Sequence, residues 1–123
     1  MNVFQDQAKF MEACGQTTDK LNADQLSLYM KLIIEEMEEL LEGYGKRDEV
    51  EAFDAILDII VVCIGFGLSA GWDMTAGWKE VVRSNMAKID PVTGLVKRRA
   101  DGKILKPEGW TAPDLEKILD EAK

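Results

Sequence analysis

Two acidic runs hold the residues in this sequence best suited to chemistry. The first is Glu35-Glu36-Met37-Glu38-Glu39; the second is Glu51-Ala52-Phe53-Asp54, with Asp58 one turn further on. At about 100° per helical residue, Glu35, Glu36 and Glu39 fall within an arc of about 100°, and Glu51, Asp54 and Asp58 within about 60°. Each run therefore puts a patch of carboxylates on one side of a helix. Partly buried carboxylates without a nearby Lys or Arg repel one another and lose hydration. A hard divalent cation relieves both penalties, and magnesium and manganese prefer oxygen ligands in octahedral geometry. A Glu-rich run is also an ordinary solvated helix face, because glutamate is a good helix former, and Glu38 and Glu42 read that way. Two features favour the metal reading. Glu36 lies between Ile33 and Leu40 on the inward side, and Asp54 and Asp58 are set among Phe53, Ile56, Leu57, Ile59 and Ile60.

The elements that must position these groups are helices. Apolar residues at Val3, Phe4, Phe10, Met11 and Cys14 predict a short amphipathic helix over about residues 2–14. Asn22 is placed to cap a second helix, with Gln25 as its capping-box partner. The stripe Leu26, Tyr29, Met30, Ile33, Met37 and Leu40 carries that helix to about Tyr44, where Gly43 and Gly45 are expected to stop it. A third helix is expected from about Asp48 to Ala70, apolar nearly all round in its second half. Such a helix belongs at a domain centre or a subunit interface. The short gap between helices two and three makes them antiparallel neighbours, so the two acidic patches can face each other across one groove. A fourth helix follows from about Asp73 to Ile89. Asp101-Gly102 between two strand-like runs predicts a β-hairpin, and a last short helix covers about residues 114–121. The expected fold is thus all-α: a four-helix bundle in a single domain spanning 1–123, with a small C-terminal β-hairpin and short helix, and oligomeric.

Composition narrows the function. The net charge is −8, so plain nucleic-acid binding is not expected. With no histidine and two cysteines, Cys14 and Cys63, there is no four-ligand zinc site of Cys/His type and no His-based triad. Cys63 sits in an apolar run and reads as core. The N-terminus lacks a signal-peptide pattern, and the apolar run from Ile59 to Ala70 is too short to span a bilayer. The expectation is a protein of the reducing cytoplasm, of a host cell if phage-encoded, without membrane or nucleic-acid partners. Trp72, Trp78 and Trp110 read as core rather than as base-stacking surfaces.

The pattern EExxE, a short gap, then ExxD resembles the MazG-like all-alpha nucleotide pyrophosphohydrolases; here the residues are Glu35, Glu36, Glu39, Glu51 and Asp54. The runs Val81-Val82-Arg83-Ser84-Asn85-Met86-Ala87-Lys88 and Asp101 to Trp110 are similar to the small, often phage-borne branch related to phosphoribosyl-ATP pyrophosphohydrolase. The resemblance implies hydrolysis of a ribo- or deoxyribonucleoside triphosphate to monophosphate and pyrophosphate, in nucleotide-pool control, with magnesium, or manganese, as cofactor. It implies Glu36, Glu39, Glu51 and Asp54 as metal ligands; Asp58 sits where a DxxxD form of the second motif would put it, which leaves Asp54 or Asp58 as the main ligand of that helix, Asp54 being preferred with Asp58 in support. Glu35, on the same patch but rotated from the main pair, is the candidate base, and Glu36 shares the catalytic assignment. A polyphosphate also needs fixed cations away from the metal. Lys88 is the first candidate, Arg83, Lys103 and Lys106 follow, and Asn85 offers a donor and an acceptor to a sugar or base. A homodimer or homotetramer is expected, since the third helix has more apolar surface than one small domain covers. Two alternatives stand beside this reading: phosphoribosyl-ATP hydrolysis, and a non-enzymatic helical module whose acidic face binds a basic partner.

Overall fold

Asparagine and aspartate caps start the first three helices of the computed structural model, which describes residues 1–121. The chain falls into two compact units, one ending at Met74 and the other beginning at Thr75.

In the first unit, α1 spans Val3–Ala13, α2 Ala23–Lys46 and α3 Glu49–Ser69, with α2 and α1 both packed on α3. Asn2 caps α1 in a full capping box: its side chain accepts from Gln5 N at 2.8 Å, and Gln5 Oε1 accepts from Asn2 N at 2.9 Å. Asn22 caps α2 as expected, accepting from Gln25 N at 3.1 Å. The reciprocal half of that box is absent, because Gln25 turns inward. Its Nε2 donates to Thr17 O at 2.6 Å and Ser69 Oγ at 2.8 Å, and its Oε1 accepts from Thr17 N at 2.9 Å. A buried amide thereby ties the α1–α2 loop to the end of α3, with every polar atom satisfied.

The expected stop at Gly43 and Gly45 does not occur. Helix α2 runs through both and ends where Arg47 takes the left-handed conformation, φ 56°. Gly43 serves packing instead: a Cβ there would lie 2.9 Å from Ala52 N on α3. Gly65 does the same further along, where a Cβ would lie 2.2 Å from Tyr29 Cε1. Tyr29 against Gly65 and Gly43 against Ala52 set α2 and α3 antiparallel. That register puts Glu36 level with Asp58, and Glu39 level with Ala55.

The buried core consists of Met11, Tyr29, Val62, Ile64 and Leu68, with Phe4, Leu32, Ile33 and Phe66 packed around it. It occupies the end of the α2–α3 pair remote from their connecting loop. Toward the loop the pair is thinly covered, and Leu41, Tyr44, Phe53, Ile56 and Ile60 are exposed. Cys63, expected in the core, is exposed on α3, and both cysteines are free. By length and composition α3 is apolar enough to cross a membrane, with a mean hydropathy of 2.1 over its most apolar window. The apolar run alone was too short; the full helix is not. Its packing on α1 and α2, and the carboxylates of its first half, account for it as the central helix of this unit.

Helix α4, Met74–Met86, leads into the second unit, which ends in α5, Leu115–Glu121. The expected β-hairpin does not form. Among the described residues there is no strand, only isolated antiparallel bridges, of which Ile89–Val96 and Arg98–Ile104 lie here. The Asp101-Gly102 turn is present, with Gly102 N donating to Arg99 O and Arg99 N to Lys103 O. A two-stranded ribbon is marginal without a third strand or a helix on its face, and Pro107 ends the pairing. The segment is held to α4 by side chains instead. The Trp110 indole N–H donates to Ser84 O at 2.6 Å, and Arg83 pairs with Glu80 at 2.7 Å and reaches the Thr111 and Ala112 carbonyls. Trp110 is half-buried, whereas Trp72 and Trp78 are 45% and 60% exposed, so the core reading suits only the first.

Candidate functional site

The antiparallel register brings the middle of α2 against the first half of α3, where both acidic patches lie. Glu36 is half-buried, and its Oε2 is sealed from solvent with no hydrogen-bond partner. Its carboxyl is pushed up to about 7, by burial first, then by the Glu39 side chain and by the charges of Glu39, Asp58 and Asp54. The Asp58 carboxyl is also raised, by burial and then by Asp54 and Glu39. Four carboxylates from two helices thus act on one another across the groove, with no basic group among the causes of either shift.

The other two acidic candidates stand differently. Glu51 is half-buried one turn nearer the loop, where its charge raises the Lys46 ammonium alongside the larger effect of Glu42. Glu35 is exposed. Neither contributes to the shift of Glu36. Asp58 precedes Asp54 among the charges acting on Glu36, as expected from its level position.

Among the described residues, no group of three or more acidic or cysteine side chains is gathered closely enough to hold a metal ion. The donor chemistry nevertheless fits a hard divalent cation: every candidate ligand is a carboxylate oxygen, and one of them is buried without any other partner. Glu36, Glu39, Asp54 and Asp58 are the residues that would hold the ion, with Glu51 able to join from the adjacent turn.

The basic candidates lie in the second unit. Lys88 is half-buried; its Nζ donates to Asn85 Oδ1 at 3.3 Å and stands 5.3 Å from the centre of the Trp110 ring. Lys106 Nζ lies over the same ring at 4.7 Å. Cation–π contacts at exposed sites contribute about 0.5–1 kcal/mol each, which biases a flexible lysine toward the ring. Arg83 is engaged in holding the C-terminal segment; together with the Asp114 N–H it keeps the Glu80 carboxyl below its ordinary range. Lys103 is exposed beside the Asp101-Gly102 turn. Sequence reasoning missed Lys97, which Leu105 N, donating to Lys97 O at 2.8 Å, brings alongside Lys106.

A model of the phosphoribosyl-ATP pyrophosphohydrolase family matches residues 4–85, two-thirds of the chain. The chain belongs to that family. It is therefore one of the MazG-like all-alpha pyrophosphohydrolases, as the acidic motif suggested. The matched segment contains all six candidate carboxylates together with Arg83 and Asn85, whereas Lys88, Lys97, Lys103, Lys106 and Trp110 lie beyond it. A comparison with curated proteins finds no match.

Proposed function

We propose that this pyrophosphohydrolase cleaves a ribo- or deoxyribonucleoside triphosphate to the monophosphate and pyrophosphate, using magnesium or manganese. The observation that carries the reading is the sealed, partnerless Glu36 Oε2 inside a four-carboxylate cluster, within the segment matched by the family. A buried acceptor of this kind is costly unless a donor or cation meets it. When bound, the ion supplies charge neutralisation on the polyphosphate and acidifies water. Glu36, Glu39, Asp54 and Asp58 provide its oxygen ligands, with Glu51 in support. The exposed carboxylate of Glu35 is free to take a proton from attacking water, and Glu36 beside it is the second candidate acceptor. Asn85, Lys88, Lys103 and Lys106 are offered to the anionic substrate; the engaged guanidinium of Arg83 makes it the weakest of that set.

The test is a panel of ribo- and deoxyribonucleoside triphosphates with magnesium, followed by phosphorus NMR. The expected products are a monophosphate and pyrophosphate. A diphosphate and orthophosphate, or no turnover anywhere on the panel, would overturn the reading. Phosphoribosyl-ATP belongs on the same panel because the matched family carries its name; preference for it would place the chain in that reaction instead.

The active form is proposed to be a homodimer or homotetramer in the cytoplasm. Leu41 and Phe53 are 69% and 66% exposed, and with Ile56 and Ile60 they leave the loop half of α2 and α3 uncovered in a single chain. Contiguous apolar surface of this kind marks an interaction face. Light scattering behind size exclusion is expected to give at least a dimer at micromolar concentration. Ile60→Asp should shift it toward monomer; a wild-type monomer would refute the assignment.

A further inference from the structure

Past the end of the family match, the second unit folds around a cleft of about 330 Å³ whose walls include Lys88, Lys97 and Lys106. We infer that this cleft binds a diphosphate group without any metal, Trp110 serving as the platform that holds its lysines. Two ammonium groups converge on one indole ring, at 5.3 and 4.7 Å from its centre. Two like charges held near one ring repel each other, and an anion bound between them would offset that repulsion. The ring itself is fixed by its N–H bond to the carbonyl of Ser84, a buried residue. Among the described residues, none of these three lysines has a carboxylate within ion-pair distance.

Two carboxylates also line the cleft, Asp90 and Glu108. The Asp90 Oδ1 is engaged by the backbone N–H groups of Val92 and Thr93 at 2.8 and 3.4 Å. The balance is positive in a chain whose net charge is −8. The three lysines outnumber the two carboxylates, and because a lysine binds phosphate as a point charge, an extended anion such as a diphosphate can meet more of them than a single phosphate can. A diphosphate could arrive as the terminal phosphates of a nucleoside triphosphate or as free pyrophosphate. That choice rests on the proposed hydrolysis; the anion chemistry of the cleft does not.

The probe is sodium pyrophosphate, titrated into the full chain in the presence of a chelator and followed by tryptophan fluorescence and calorimetry. Saturable binding is expected, with the fluorescence change lost in Trp110→Phe. Lys97→Ala and Lys106→Ala should each weaken binding about tenfold, and Lys106→Arg should retain it. Glu108→Gln should tighten it, an effect that a merely structural role would not produce. Far-UV circular dichroism checks that each variant is folded. Competition by a nucleoside triphosphate, but not by a monophosphate, would assign the cleft to the substrate's terminal phosphates. Binding of pyrophosphate without such competition would assign it to the product. No saturable signal by either method, or binding unchanged by both alanine variants, overturns the inference. Metal-free binding in a chain that hydrolyses no triphosphate would refute the proposed reaction and leave the cleft assignment standing. Hydrolysis without metal-free binding would do the reverse.

Discussion

Glu39→Gln and Asp54→Asn are each expected to lower turnover at saturating magnesium by at least about 10²–10³-fold, with the helical far-UV spectrum unchanged. Both side chains are exposed, so neither substitution opens a cavity or strands a buried group. What each removes is one charge of the cluster that acts on Glu36. Glu36→Gln should separate catalysis from stability more sharply. The folded chain holds the Glu36 proton up to about 7, whereas the ordinary value is 4.5. Between those values the folded state binds more protons than the unfolded state, so stability falls as pH rises. The contribution is complete below the lower value and gone above the upper one. Glutamine keeps the uncharged shape at every pH. At pH 8, Glu36→Gln should therefore stabilise the metal-free protein, on the order of 1–2 kcal/mol once the shift is discounted for solvent screening. The same variant should lose most turnover and most of the thermal stabilisation conferred by manganese. Near-wild-type activity in Glu39→Gln or Asp54→Asn would remove that residue from the ligand set. A metal-free Glu36→Gln variant no more stable than the wild type at pH 8 would show that the buried carboxylate costs nothing.

The second large effect is expected at Gly65. In an ordinary helix, replacing glycine with alanine stabilises by roughly 0.5–1 kcal/mol. Here the added Cβ would stand 2.2 Å from Tyr29 Cε1, with two more ring atoms within 2.7 Å. Tyr29 is only 5% exposed, and its hydroxyl donates to Gln16 Oε1 at 2.6 Å, so the ring has little room to withdraw. Overpacking of this kind costs about 1–3 kcal/mol, and it should outweigh the propensity gain and reverse the sign. The contact also sets the α2–α3 register that levels Glu36 with Asp58, so manganese affinity should fall together with stability. Tyr29→Leu removes the obstructing ring. Combined with Gly65→Ala, it should cost less than the sum of the two single changes, as measured by urea denaturation. A Gly65→Ala variant as stable as the wild type, or strict additivity in the pair, would show that this contact does not determine the register.

Local chemistry was enough to place the helices and the two acidic patches, and the resemblance of the acidic motif pointed to the pyrophosphohydrolase family that the match over residues 4–85 shows. Asn2, Asn22 and Asp48 accept backbone bonds from residues three positions on. The spacing of carboxylates on a 3.6-residue helix is likewise a property of the chain alone. Tertiary packing decided the rest. Gly43 and Gly45 have the composition of a helix stop, yet α2 continues through them, because close approach of Ala52 requires a residue without a side chain at position 43. Gln25 has the spacing of a capping partner, yet burial gives its amide better partners in Thr17 and Ser69. The relative standing of Asp54 and Asp58 was open in the motif; the register levels Asp58 with Glu36. Isolated bridges replaced the hairpin because two short runs without a covering face do not sustain a ladder. The bonds of Lys97 O to Leu105 N and of the Trp110 indole to Ser84 O arise only where the chain folds back. Periodicity reports which residues share a face. Which atoms on that face lose their water, and which charges they then confront, depends on partners distant in sequence. That is why the position of Glu36 was legible beforehand, and the sealing of its Oε2 was not.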